Sequence, residues 1–227
     1  MYPVVILCGG KAKRLGAVAQ DTPKALLDIN GTPFLKILID NFAKQGVRRF
    51  YFCLGHHSEQ IEAFLMSIRS KKLDFHISYD DELFSGTGGA VKKLIQKIST
   101  PFFVTYGDSY LDINLGDLVT NYIEDEGPLM TIFKNSGLYD KSNCTLKDGR
   151  LIYSKRNPQD DADFIDYGLG IYASENFSNF PNSFDLSVLQ EKFSTEGNLQ
   201  YYVATKRFYE IGSLEGLDEF KKYVSQL

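Results

Sequence analysis

At 227 residues the chain is long enough for one sizeable α/β core and leaves little room for a second independent one, so residues 1–227 are read as a single domain. Hydrophobic residues at 43% and charged residues at 24% exclude an extensively disordered chain, and a formal net charge of −4 offers no broad basic field for a nucleic-acid backbone. Three scattered cysteines, Cys8, Cys53 and Cys144, form neither a disulfide framework nor a Cys-x-x-Cys metal pair and read as reduced core thiols. Met1 runs directly into Tyr2-Pro3-Val4-Val5-Ile6-Leu7 without a basic leader, and no apolar run is long enough to span a bilayer. A cytoplasmic protein is therefore expected, with neither a membrane nor a nucleic acid as partner.

The β-branched run Val4 to Leu7 reads as a buried strand ending at Gly9-Gly10. A helix is predicted over Phe34 to Lys44, where Leu35, Leu38, Ile39 and Phe42 share one face and Gln45-Gly46 supplies a stop. Arg49 to Leu54 is the next strand. A second helix follows from Ser58 to Ile68, with Ser58 as its expected N-cap. Phe75 to Tyr79 is a third strand, Ala90 to Ile98 a third helix, and Pro101 to Tyr106 a strand that ends in Gly107-Asp108. Alternating strands and helices imply a parallel sheet, and residues just beyond its strands line the ligand crevice.

After Leu129 the pattern changes to short strands at Leu129 to Lys134, Asn143 to Leu146, Leu151 to Lys155 and Gly168 to Tyr172, which suits mixed or antiparallel pairing. Lys147-Asp148-Gly149-Arg150 reads as a hairpin turn, because Asp-Gly accommodates positive φ. Leu214 to Val224 has helical spacing. No internal repeat or low-complexity linker interrupts the chain.

Four segments carry chemistry. Leu7-Cys8-Gly9-Gly10-Lys11-Ala12-Lys13-Arg14-Leu15-Gly16, followed by Thr22-Pro23-Lys24, offers glycine backbone for close approach to phosphates and cations to offset their charge. Gly9-Gly10 alone would equally suit a simple turn, and the absence of Gly-Lys-Ser/Thr spacing excludes a Walker loop. Ser85-Gly86-Thr87-Gly88-Gly89-Ala90 precedes a helix carrying Lys92 and Lys93, so its backbone can meet a polar ligand at the positive end of a helix dipole. Gly107-Asp108 and Tyr209-Glu210-Ile211-Gly212 supply two carboxylates of the kind Mg²⁺ takes. Ile152-Tyr153-Ser154-Lys155-Arg156-Asn157-Pro158 and Asp166-Tyr167-Gly168 offer a cation and hydroxyl-reading groups. His56-His57 has no third ligand at a helical offset and reads as an ordinary loop. The 14 tyrosines and 17 phenylalanines read as core.

Together these segments resemble the sugar-phosphate nucleotidyltransferases, which open with a strand, a Gly-Gly-x-Gly-Thr-Arg-Leu loop and a later Pro-Lys pair. Ala12 and Lys13 depart from that pattern and are similar to the molybdenum-cofactor guanylyltransferase form of the loop, while Gly-Thr before a helix looks most like the heptose- and mannose-1-phosphate guanylyltransferases. The resemblance implies a Rossmann-like three-layer α/β/α fold with a mixed, mostly parallel central sheet. It implies a nucleotide half over residues 1–125, with Leu7, Gly9, Gly10, Gly55, Gly86, Thr87 and Gly88 on the nucleotide, and a sugar-phosphate half over 126–227, with Lys155, Asp166, Tyr167 and Gly168 on the sugar phosphate. Arg14, Lys24 and Asp108 would be catalytic, and Asp108 with Glu210 would hold Mg²⁺, although a family aspartate is replaced at Glu210. The expected ligands are a nucleoside triphosphate, GTP in preference, and a heptose or hexose 1-phosphate; a homodimer is compatible with this reading. Two alternatives stay open: a different phosphate acceptor such as molybdopterin, and a non-catalytic sensor of nucleotide sugars.

Overall fold

The computed structural model describes residues 1–10, 15–16 and 20–226. Its centre is a nine-stranded sheet. β1 (Val4–Cys8) lies between β4 (Arg49–Leu54) and β6 (Phe102–Tyr106), and β5 (Asp74–Tyr79) pairs β4; all of these pairings are parallel. β11 (Phe164–Tyr172) joins β6 antiparallel and also pairs β8 (Leu129–Lys134) and β9 (Cys144–Lys147). β10 (Arg150–Tyr153) pairs β9 antiparallel, and β12 (Gln200–Ala204) pairs β8 in parallel, while β2 (Asp28–Ile29) and β3 (Thr32–Pro33) form a separate antiparallel pair. Directions propagate through these ladders, so β1, β4, β5, β6, β8, β9 and β12 run one way and only β10 and β11 run the other. The sheet is thus mixed and mostly parallel, with its reversals confined to the second half.

Alternation along β1 explains the layers. Val4, Ile6 and Cys8 face a core shared with α1 (Phe34–Lys44), α2 (Ser58–Ser67), α4 (Leu115–Asn121) and α6 (Leu214–Val224). Val5 and Leu7 face the opposite core, built with α3 (Gly86–Leu94) and α5 (Leu186–Glu196). Three layers result, as expected for a Rossmann-like α/β/α protein. α1 buries Phe34, Leu35, Leu38, Ile39 and Phe42 as its spacing predicts. The hairpin between β9 and β10 holds Asp148 at φ 50° and Gly149 at φ 75°, the two positive values a tight turn requires.

Two expected boundaries are corrected. Ser58 is not the N-cap of α2: its N–H donates to the Gly55 carbonyl at 3.1 Å, which draws it into the first turn and leaves His57, at φ 58°, as the capping residue without a side-chain bond. α3 begins at Gly86 rather than Ala90. Its early donors are satisfied from outside the helix, Gly88 and Gly89 both donating to the Phe184 carbonyl at 2.9 and 3.1 Å, so the glycines can enter the first turn.

Candidate active site

The carboxyl ends of β1, β4, β5 and β6 surround a cavity of about 530 Å³. Leu7, Cys8, Gly9 and Gly10 enter from the end of β1, Lys24 and Ala25 from a 3₁₀ turn, and Tyr106, Gly107 and Asp108 from the end of β6. Opposite them stand Asp80, Asp81 and Glu82 after β5, Ser85, Gly86 and Thr87 at the start of α3, and Asp185 before α5. A crevice beyond parallel strand ends is where such sheets take ligands.

An ion pair lies on the cavity wall. Lys24 Nζ donates to Asp108 Oδ2 at 3.1 Å, with side chains only 14% and 32% exposed. Lys24 holds this place because Ala25 is buried beneath the turn and Pro23 accepts from the Leu26 N–H at 2.8 Å. Gly107 admits no larger residue: a Cβ there would lie 2.6 Å from Cys8 Sγ, and its N–H donates to the Leu7 carbonyl at 2.9 Å. Close packing of β1 against this turn fixes where Asp108 emerges.

A short ladder brings the second acid near. β7 (Ser109–Leu111) pairs β13 (Phe208–Glu210) antiparallel with Glu210 opposite Ser109, and the Ile211 N–H donates to the Asp108 carbonyl at 3.0 Å. Asp108 and Glu210 are thereby neighbours through backbone hydrogen bonds despite their separation in sequence. Both are hard oxygen donors, so the residue types fit Mg²⁺. Asp108 lines the cavity whereas Glu210 does not, and among the described residues no cluster of three or more potential ligands forms.

Asp80, Asp81 and Glu82 add negative charge to the same wall. Gly55 leaves room for the Asp80 carboxylate: a Cβ at Gly55 would sit 2.1 Å from Asp80 Oδ2 and 2.9 Å from Gly9 Cα. Desolvation there holds the Asp80 carboxyl above its ordinary range, with Lys93 opposing the shift. Asp81 is held below its ordinary range by the Leu83 N–H and then by Lys93, whose Nζ lies 3.1 Å from Asp81 Oδ2. In the floor, burial pushes the Cys53 thiol up to about 12 and raises Cys8 further, so both stay protonated and inert at neutral pH.

The Gly86-Thr87-Gly88 segment divides in two. Gly86 and Thr87 line the cavity, but a Cβ at Gly88 would meet the Phe184 ring at 2.4 Å, so Gly88 turns to packing. Thr87 Oγ1 accepts from the Leu186 N–H at 2.8 Å, and the Thr87 N–H approaches Asp185 Oδ1 at 3.5 Å. These contacts lock the starts of α3 and α5 together and place Asp185 on the cavity wall.

Lys155, Asp166, Tyr167 and Gly168 do not line this cavity. Asp166 Oδ1 accepts from the Gly168 N–H at 2.9 Å at a bulge in β11, and Gly168, at φ 76°, packs against the Tyr106 ring. Burial holds the Asp166 carboxyl above its ordinary range, while the Gly168 N–H and then Lys155 lower it. Lys155 is exposed, its N–H donating to Glu191 Oε1 at 2.8 Å. Tyr167 goes the other way: its ring packs on Phe133 and Phe208, and its hydroxyl donates to the Lys206 carbonyl at 2.7 Å. Tyr106 connects the regions. Burial is the main cause of its strongly raised pKa, followed by the charges of Asp166, Asp108, Asp185 and Glu210.

Of the residues singled out in the sequence, Leu7, Gly9, Gly10, Lys24, Gly86, Thr87 and Asp108 share the cavity wall; Arg14 lies outside the described residues. Gly55, Gly88 and Gly168 instead serve packing around it, and Tyr167 faces away. Sequence reasoning missed Asp80, Asp81, Glu82, Tyr106 and Asp185. The acidic run after the β5 strand carried a readable signal by the strand-end rule, whereas Asp185 reaches the wall only through the α3 to α5 contact.

Comparison with known proteins fits this geometry. Residues 4–143 match the family model of the MobA-like NTP transferase domain. The D-glycero-alpha-D-manno-heptose 1-phosphate guanylyltransferase of Campylobacter jejuni is 28% identical over 199 residues, covering 86% of this chain and 84% of the relative. Its namesake in Aneurinibacillus thermoaerophilus is 27% identical, covering 90% and 86%. The crystal structure of HddC from Yersinia pseudotuberculosis superposes with a TM-score of 0.80 at 24% identity, over 99% of this chain and 100% of that one. The chain therefore belongs to the MobA-like NTP transferase domain family.

Proposed function

We propose that this enzyme transfers a nucleoside monophosphate, GMP in preference, from a nucleoside triphosphate to a heptose or hexose 1-phosphate. The observation that carries the proposal is one cavity whose wall holds both the Lys24 and Asp108 pair and an acidic group that includes Asp80. A triphosphate suits the first. A base with hydrogen-bond donors suits the second, and guanine alone among the common bases presents an N–H and an amino group side by side to a single carboxylate. The two relatives named above are guanylyltransferases, which agrees with that preference.

The sugar phosphate is already an anionic nucleophile, so the reaction needs positioning and charge stabilisation rather than a general base. A bond forms between an oxygen of the sugar phosphate and the α-phosphorus; the bond from that phosphorus to the bridging oxygen breaks, and pyrophosphate leaves. Lys24 balances charge near the α-phosphate. Arg14, which follows the Gly9-Gly10 backbone in the chain, would do so for the departing phosphates. Asp108, assisted by Glu210, would hold Mg²⁺, which when bound offsets negative charge on the phosphates. Asp166 and Gly168 would meet the sugar, with Lys155 drawing its phosphate, and both halves would act as one domain.

The test is pyrophosphate release measured across the four common nucleoside triphosphates and a panel of hexose and heptose 1-phosphates. GTP with a heptose or hexose 1-phosphate should give the highest kcat/KM. A preference for CTP or UTP would overturn the guanine assignment. Nucleotide-sugar binding without turnover in any pair would favour a sensor.

A further inference from the structure

A second concavity lies at the opposite edge of the same sheet. Its volume is about 920 Å³, larger than the catalytic cavity, and it forms where β1, β4, β5 and β6 begin rather than end. Along β4 the two edges are separated by roughly 17 Å, five strand rises. Arg48 and Arg49 enter from the start of β4, and Arg69, Lys71 and Lys72 from the loop between α2 and β5. Among the described residues Asp74 is the sole carboxylate on this wall, and Ser70, Ser99 and Thr100 add hydroxyls.

The charges are unevenly satisfied. Arg49 pairs with Asp74 at 3.1 Å, and Arg48 donates to the Ala43 and Val47 carbonyls at 2.7 and 2.9 Å. Asp74 is shared with His76, at 2.9 Å. The side chains of Arg69, Lys71 and Lys72 have no ion-pair partner among the described residues. Five cations against one acid on a single concave wall run against a whole-chain charge of −4. Like charges repel, and these exposed side chains line one concavity. An anion would relieve that repulsion, and guanidinium groups beside hydroxyls match phosphate oxygens in particular.

We propose that this basic cleft binds a small, multiply phosphorylated anion at a site separate from the catalytic cavity. The concave shape selects a free anion over a membrane surface, which needs a flat or convex basic face. The proposal is independent of the nucleotide preference above and does not require turnover.

Calorimetric titration of the intact protein with tripolyphosphate, in Mg²⁺-free buffer near 0.15 M salt, tests it. Exposed charges are then screened beyond about 8 Å, so only a convergent site retains measurable affinity. The Arg69→Ala/Lys71→Ala/Lys72→Ala variant should lose about tenfold or more in affinity while melting within a few degrees of the parent. Lys24→Ala, which changes the catalytic cavity, should leave this binding intact. On the unaltered protein, tripolyphosphate should shift the amide resonances of residues 69–74 and 98–100 in preference to those of 7–10, 24–26 and 106–109, a readout that needs no variant. Equal affinity in the triple variant, shifts confined to 7–10, 24–26 and 106–109, or tighter binding to phosphatidylglycerol vesicles than to tripolyphosphate would each overturn the proposal.

Discussion

The two halves of the active-site region are built on different principles. In the first half the wall is largely backbone: Gly9, Gly10, Gly86 and Gly107 bring main chain close to the cavity, and Gly55 makes room for Asp80. In the second half the candidate groups are side chains on β11, where successive residues point to opposite faces. Asp166 turns toward Tyr106 and Lys155, while its neighbour Tyr167 joins Phe133 and Phe208 in the core beyond the sheet. In the glycine-built wall Gly55, Gly86 and Gly107 leave no room for a Cβ, whereas Gly10 faces open space. A strand-built wall is changed at alternate positions only.

The sharpest break of that comparison lies at Asp108, the side chain on which the first half most depends. Asp108→Asn should lower turnover about 10³-fold or more with the melting temperature little changed; pyrophosphate release at the parental rate would remove Asp108 from the chemistry. Next in size is Gly55→Ala. Its Cβ would collide with Asp80 and with the Gly9 backbone, costing about 1–3 kcal/mol of stability and raising KM for GTP by displacing the Asp80 carboxylate. Unfolding in denaturant and nucleotide KM, measured together, separate this from a purely structural defect, which would leave KM alone.

Within β11 the contrast can be tested between adjacent residues. Asp166→Asn should raise KM for the sugar 1-phosphate while leaving KM for the nucleotide unchanged. Tyr167→Phe should leave both unchanged and cost about 1 kcal/mol of stability through loss of the hydrogen bond to Lys206. If Tyr167→Phe alone impaired sugar-phosphate use, the assignment of the two faces would be reversed.

Asp166 also gives the smallest effect, one of pH. Its folded-state pKa is raised above the unfolded value, chiefly by burial, so ionisation of the folded form opposes stability at neutral pH. That penalty is relieved as pH falls through the raised folded pKa and is gone below the unfolded value near 3.9. Asp166→Asn should therefore raise the melting temperature at pH 7 and lose that advantage near pH 3.5, as followed by thermal unfolding across that window.

Periodic segments were legible because one face of each must be buried. α1 and α6 occupy the predicted residues, β4 does so as well, and the Asp148-Gly149 turn follows from its demand for positive φ. Helix starts were less legible. Which residue begins α2 or α3 depends on who accepts the first N–H groups, and for α3 the acceptor is the Phe184 carbonyl, nearly 100 residues away. Three-residue strands such as β7 and β13 carry no periodic signal at all, yet their pairing is what sets Glu210 opposite Ser109.

By itself the sequence determined the glycine-bearing turns, the early Pro-Lys pair, the acid after a buried strand and the sugar-phosphate nucleotidyltransferase resemblance, because local backbone needs and charge leave marks on neighbouring residues. Only the tertiary structure decided that Lys24 meets Asp108, that Thr87 fastens α3 to α5, that Tyr167 faces the core, and that five cations gather at the far edge of the sheet. Those outcomes depend on strand order and phase, set by packing among segments far apart in the chain.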